Sequence, residues 1–283
     1  MNQQNIHILL KSIWGATESP FAETTASVFE TPEIRLVLQH LEQFLSMHSS
    51  GVLCGPNGSG KSLILDAIVQ RLSEKTFIVT KLSHASVTGS DLLRSIVRAC
   101  GIEPCMWRSN NVNLLLKHWH HLGSLHPVII LDEAQQLESR AMEEIRLLCA
   151  DRAQLTGQGR TPAFSLVLCG DEDLLPTLQM GMCKALRSRL GFCLHTAPLT
   201  AEQTAEYVTF RWKQCNVLQC PFDDQALTLV YQATEGIPRN INQLGAAATT
   251  LAAQEKDHVI RQQHVQKALH MIPWMAMKTI ATN

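Results

Sequence analysis

Short apolar runs alternate with amphipathic stretches through the first two thirds of the chain, and the alternation ends near Thr200. Thr31-Pro32-Glu33 reads as a helix start, with Thr as the cap and Pro in the first turn. Ile34, Leu38, Leu41 and Leu45 then fall on one face. Val52, Leu53 and Cys54 read as the end of a buried strand, and Lys61 opens a helix that carries Leu63, Ile64, Ala67, Ile68 and Leu72 to about Ser73. With the short strand Phe77-Ile78-Val79 this makes a βαβ unit. A helix after Ser90-Asp91 (Leu92, Leu93, Ile96, Val97) stops near Gly101, and another covers the region from Asn110 to Leu122. Pro127 opens an apolar run that ends on Asp132-Glu133. A helix from Ser139 to Ala150 and the polar loop DRAQLTGQGRTP precede a strand from Phe164 to Cys169. This alternation predicts an α/β fold, a mainly parallel sheet covered by helices on both faces.

After Thr200 the pattern predicts helices alone. Thr200 and Gln203 form a candidate capping box for a helix through Asn216. Asp223 caps a second helix that stops near Gly236, a third starts at Pro238, and a short one runs from Gln262 to His270. The expected organisation is an N-terminal segment at 1–30 containing WGATESPF (Trp14 to Phe21), an α/β domain at 31–199, a small all-α domain at 200–272 and a tail at 273–283.

Composition narrows this picture in a few places. Hydrophobic residues make up 45% and charged residues 17%, a globular balance. No apolar run reaches the length of a membrane span, and MNQQNIHILLK lacks the features of a signal peptide, so the expectation is a soluble cytoplasmic protein. The 9 Cys include no C-x-x-C pair and lie mostly among apolar neighbours, which predicts reduced core cysteines. A net charge of −1 argues against wholesale coating of nucleic acid but leaves room for a local basic strip. His118, His120, His121 and His126 have no matching Cys or carboxylate pattern, so they read as a polar helix face rather than a zinc site.

The chemistry is concentrated in GVLCGPNGSGKS, residues Gly51 to Ser62, where Gly55, Gly60, Lys61 and Ser62 complete G-x-x-x-x-G-K-[ST]. Backbone N–H groups of Gly55, Pro56-Asn57-Gly58-Ser59 (Pro excepted) and Gly60, together with the positive helix end, suit an anionic phosphate. Lys61 would reach the β- and γ-phosphates, and the Ser62 hydroxyl would take one position on a Mg²⁺. Asp132, at the end of an apolar strand, is placed to serve the same Mg²⁺, and Glu133 to orient water against the γ-phosphate. Asp171 follows the SLVLC strand as a polar sensor of that phosphate. Arg187 and Arg189 in LRSRL suit a guanidinium reaching into a neighbouring subunit's nucleotide, and Arg239 in GIPRN opens a helix that suits contact with phosphates. Each arginine alone reads as well as a surface ion-pair partner; it is their order along the chain that favours the nucleotide site.

That order resembles the AAA+ ATPases, specifically the ExeA-like branch that includes transposon ATPases of the TniB and TnsC type. WGATESPF, GPNGSGKS, LDEAQQL, LVLCGDEDLLPTL, LRSRL and EGIPRNIN occur in the order of that family. The resemblance implies a P-loop AAA+ domain with a helical lid. It makes Lys61 and Ser62 Walker A, Asp132 and Glu133 Walker B, Asp171 sensor one, Arg189 or Arg187 the arginine finger and Arg239 sensor two. The family commonly has an amide where this chain has Asp171. ExeA-type secretion ATPases carry a membrane segment and a cell-wall-binding domain after the ATPase. Nothing follows the lid here, so the resemblance favours the transposon members. These imply ATP and Mg²⁺ as ligands, assembly as a ring or helical filament on double-stranded DNA, no membrane, and a DDE transposase with a target-selection protein as partners. The alternatives are a secretion-complex ATPase, an initiator or helicase loader, and a non-hydrolysing clamp. For DNA contact the residues themselves offer Lys81, His84 and Ser86 after the second strand, with Arg94 and Arg98 sharing one face of the next helix.

Overall fold

The computed structural model describes residues 3–22, 27–83, 89–155 and 163–275, with backbone alone at 3–5, 90 and 150–155. In chain order the elements begin with α1 (Gln3–Trp14), α2 (Pro32–Ser46), β1 (Ser50–Cys54), α3 (Lys61–Arg71), β2 (Phe77–Leu82), α4 (Gly89–Ala99), α5 (Arg108–His121) and β3 (His126–Leu131). They continue with α6 (Ser139–Leu155), β4 (Ser165–Gly170), α7 (Leu174–Gln179), α8 (Lys184–Arg187) and β5 (Leu190–His195). The last four are α9 (Ala201–Gln214), α10 (Asp224–Thr234), α11 (Pro238–Gln254) and α12 (Gln262–Met271). The chain divides into two compact units, one of Pro32–Asn57 and Lys61–Thr196, the other of Met1–Thr31, Gly58–Gly60 and Ala197–Asn283.

In the first unit the five strands lie in the order β2-β3-β4-β1-β5, every neighbouring pair parallel. Alternation along β3 shows why so continuous an apolar run is needed. Val128 and Ile130 join Leu38, Leu41, Leu45, Ile64 and Ile68 on the face covered by α2 and α3. Ile129 and Leu131 join Leu92, Ile96, Leu115 and Ile145 on the face covered by α4, α5 and α6. A strand buried on both faces is apolar on both, and the polar residue it carries, His126 at its start, is matched by Ser165 of β4 at 2.9 Å.

β5 departs from the sequence reading, which contains no strand there. Its Phe192 is buried and stacks on Phe44 of α2, with ring centroids 4.8 Å apart, while Gly191, Cys193 and His195 on its other side are exposed. The sheet is therefore covered on both faces only as far as β1; at its β5 edge one face is open. The expectation that the cysteines are core residues fails at the same place, since Cys193 is exposed whereas Cys54, Cys149, Cys169, Cys183 and Cys215 are buried.

The second unit is helical, and its caps follow the sequence closely. The Thr200 side chain accepts from the Gln203 backbone while Gln203 accepts from the Thr200 backbone, and Asp223 accepts from Ala226 N–H at 2.7 Å. The segment before Thr31 packs into this unit instead of standing alone. It opens with a helix the sequence reading lacked, α1, which lies against α11. Trp14 meets Trp212 edge to face at 5.4 Å, and its indole N–H donates to the His258 carbonyl at 2.8 Å. Arg211, 5% exposed, donates through Nε to the Pro20 carbonyl at 2.6 Å and through Nη2 to Ala22 at 2.5 Å. In the predicted tail, Met275 is buried among these helices, and 276–283 lie outside the described residues.

Arg211→Ala should therefore lower stability by about 3 kcal/mol, the scale of losing charge-assisted bonds to buried acceptors. Urea unfolding followed by tryptophan fluorescence measures it. Limited proteolysis should cut first in the segment before Thr31.

Candidate functional site

The loop between β1 and α3 is shaped by backbone that only glycine tolerates. Gly55, Gly58 and Gly60 have φ of 153°, 85° and 92°. At Gly55 the space is also missing, since a Cβ there would lie 2.2 Å from Thr196 Oγ1 and 2.5 Å from its carbonyl oxygen. Such successive turns aim main-chain N–H groups at a common point, the arrangement that suits phosphate. Lys61, the first residue of α3, is 8% exposed, and its ammonium donates to the Gly55 and Pro56 carbonyls at 2.9 Å each. Ser62 beside it is exposed.

Asp132 follows β3 and is 4% exposed. Its N–H donates to Leu82 at 2.9 Å, which extends the β2–β3 ladder by one residue and fixes where the carboxylate stands. Its Oδ1 accepts from Glu133 N–H at 3.0 Å. Cys169 of β4 reports how closely the charges gather. Burial pushes its thiol up, the Asp132 carboxylate and the hydrogen bond to it push further, Lys61 opposes, and Glu133 adds a smaller upward push. Cys169 belongs to β4, the strand between β1 and β3, so the loop with Lys61 and the Asp132 carboxylate follow the two strands that flank it. A phosphate loop, a buried carboxylate and an exposed Ser62 hydroxyl fit a nucleotide with Mg²⁺, Ser62 and Asp132 being the residues that would hold the ion. When bound, that ion neutralises phosphate charge.

Glu133 sits in the left-handed region at φ 56°. Its Oε2 accepts from Gln135 Nε2 at 2.7 Å and from Gln136 Nε2 at 3.5 Å. Gln135 Oε1 in turn accepts from Asp171 N–H at 3.2 Å. One amide therefore ties the glutamate after β3 to the loop after β4. It lies over Gly170, where a Cβ would stand 2.6 Å from Gln135 Oε1. The sequence reading missed Gln135; its only signal was the amide pair one residue beyond Asp-Glu, after Ala134.

The other expected residues are more dispersed. Asp171 turns its carboxylate back to Asp173 N–H at 3.0 Å, so it caps its own loop. Arg187 and Arg189 are exposed and donate to the Leu178 carbonyl at 3.2 Å and the Ala185 carbonyl at 2.5 Å. Arg239 is exposed near the start of α11, with its N–H 3.2 Å from the Gly58 carbonyl. Among the expected DNA contacts, Lys81 is paired with Asp66 of α3, and Arg94 with Asp91 at 3.2 Å. Arg98 is exposed, while His84 and Ser86 lie outside the described residues.

Topology and site together are those of a P-loop AAA+ fold with a candidate nucleotide site. An AAA domain model matches residues 45–178. The chain is 27% identical to General secretion pathway protein A of Aeromonas hydrophila over 228 residues, which is 78% of this chain and 40% of that protein's length. Among solved structures it is similar to Cdc6p from Pyrobaculum aerophilum, with a TM-score of 0.72 at 18% identity over 89% of this chain and 70% of that one. It is likewise similar to the Aeropyrum pernix ORC1 protein in complex with DNA, with a TM-score of 0.65 at 18% identity over 89% and 68% of the two chains. The family model and the secretion relative are what this chain is similar to in sequence, the chain spanning 40% of that relative's length, and the structural likenesses show the fold. Among the described residues no helix is long and apolar enough to cross a membrane.

Gln135→Ala should leave nucleotide affinity within about twofold and lower turnover on the order of tenfold, a fraction of what a general base contributes. Equilibrium binding of a fluorescent ATP analogue and steady-state phosphate release measure the two separately. An equal loss in both would mean that the amide only holds the loop together.

Proposed function

We propose that this protein is an ATP-hydrolysing AAA+ regulator that assembles as a homo-oligomer on double-stranded DNA and recruits or activates a DDE transposase. The observation that carries the ATPase part is geometric: the glycine loop with buried Lys61 follows β1 and buried Asp132 follows β3, the two parallel strands that flank β4. In this reading Lys61 binds phosphate and Glu133 orients the attacking water, held in place by Gln135. Arg189, with Arg187 beside it, stabilises charge in the site of the adjoining subunit. Asp171 and Arg239 sense the nucleotide from within the same chain. The transposition part is supported by the order of motifs from WGATESPF to EGIPRNIN. DNA binding is compatible with the DNA complex formed by the ORC1 protein. With Lys81 and Arg94 engaged in ion pairs, Arg98 is the more available basic contact.

A second reading, a secretion-complex ATPase, is favoured by the match to General secretion pathway protein A, of whose length the chain spans 40%. Assembly on random-sequence double-stranded DNA separates the two. The regulator reading expects assembly that needs ATP, falls steeply with salt and is lost in Lys61→Ala, measured by sedimentation and fluorescence anisotropy. No DNA binding in any nucleotide state would remove the regulator reading and bring the secretion reading forward.

Catalysis has its own tests. Glu133→Gln should keep ATP binding while turnover falls about 10²-fold or more. Arg189→Ala should cost on the order of 10³-fold in turnover. If Arg189 acts across subunits, mixing Arg189→Ala with Glu133→Gln protein, which keeps ATP binding, should restore part of the activity, because some mixed interfaces pair an intact Glu133 with an intact arginine. No recovery on mixing would place Arg189 outside the neighbour's site.

A further inference from the structure

We propose that Cys54, Cys193 and His195 form a three-ligand site for a thiophilic divalent cation, zinc foremost, at the open edge of the sheet. Cys54 ends β1, and Cys193 and His195 lie two residues apart on β5, which pairs with β1 in parallel register, Val52 opposite Cys193 and Cys54 opposite His195. All three side chains consequently project from the same side of the sheet. Cys54 is 1% exposed, whereas Cys193 and His195 stand on the uncovered side of the edge strand. The site is anchored on its inner side and accessible from solvent.

The distances fit a tetrahedral ion. Cys54 Sγ and Cys193 Sγ are 3.9 Å apart. His195 Nε2 lies 3.8 Å from Cys54 Sγ and 3.5 Å from Cys193 Sγ. A zinc with Zn–S of about 2.3 Å and Zn–N of about 2.0 Å places two sulfurs about 3.8 Å apart and a sulfur and nitrogen about 3.5 Å apart. The sulfur separation is nearly twice a disulfide bond of about 2.05 Å. Three protein ligands leave one position for water or an outside ligand.

Burial, and then the neighbouring Cys193 sulfur, push the Cys54 thiol up to about 12. A thiol binds such a cation as thiolate, so binding would release its proton. The second group of this kind, Glu255, Asp257 and His264, is already satisfied. His264 accepts from Arg261 N–H at 2.9 Å and faces both carboxylates, which also bind Lys267 and Arg261.

Occupancy would clip β5 to β1 at the residue before Gly55. Thr196 N–H already donates to the Cys54 carbonyl at 2.8 Å there. The test uses the reduced full chain titrated with Co²⁺ and then with Zn²⁺. One cobalt per chain should give a thiolate-to-cobalt charge-transfer band and the intense visible bands of tetrahedral geometry, both removed by Zn²⁺. Cys193→Ser and His195→Ala, both at exposed positions, should each weaken binding tenfold or more while melting like the parent without metal. Loss of a direct ligand should cost at least the roughly 10-fold seen for outer partners. Zn²⁺ should raise the melting temperature of the parent and of neither variant. An unchanged cobalt spectrum in either variant would overturn the site, as would a spectrum without the thiolate band. Recovery of a Cys54–Cys193 disulfide from the reduced preparation would overturn it too.

Discussion

A carboxylate that is 4% exposed needs partners in place of water, and at Asp132 the Glu133 N–H supplies one at 3.0 Å. Removing an ionised carboxylate from water costs several kcal/mol unless a cation or hydrogen-bond donors replace the solvent. β4 inserts between β1 and β3, so that the phosphate loop after one strand and the carboxylate after the other stand one strand apart at the same end of a parallel sheet. The parallel sheet sets the strand ends in one row, and the unbroken apolar runs of β1, β3 and β4 hold that row rigid. Binding of nucleotide to such a row needs little rearrangement beyond the lysine giving up its carbonyl partners.

The same sheet is asymmetric from one edge to the other. In β3, β4 and β1 every residue is buried and the polar side chains His126, Ser165 and Ser50 stand at strand starts. At β5 the cover is missing on one side, so side chains with their own chemistry can stand in mid-strand. Phe192 secures the covered side by stacking on Phe44, which leaves Cys193 and His195 on the other side without a packing role.

What could be read in the sequence depended on how far apart the interacting residues lie along the chain. The phosphate loop was legible because its glycines, lysine and serine must be adjacent to work, and Asp132 because its strand is uniformly apolar. Caps at Thr200 and Asp223 are local in the same way. β5 escaped notice because a half-covered edge strand carrying Gly191, Cys193 and His195 lacks both the continuous run and a clean alternation. α1 escaped because the surface it buries against, Trp212 and α11, lies some two hundred residues downstream, as the Trp14 bond across 244 positions illustrates. Gln135 was visible as a residue but not as a link, since its partner at Asp171 belongs to another strand. The Cys54 and Cys193 pairing spans 139 positions and depends on strand register, which spacing does not encode.

The helical unit draws on both sides of the α/β unit in sequence, with Met1–Thr31 before it and Ala197–Asn283 after it. This has a bearing on synthesis at the ribosome. Pro32 to Thr196 can collapse as soon as β5 emerges, interrupted only by Gly58–Gly60. The α1 segment, made before it, has to wait for α9 and α11 before Leu10, Trp14 and Phe21 find their partners. Contacts of such long sequence separation form late because the loop must be closed before they contribute. During that interval the nascent chain carries an unpaired apolar helix, a natural target for a holding chaperone, and helices translated after β5 complete the binding place of one translated before β1.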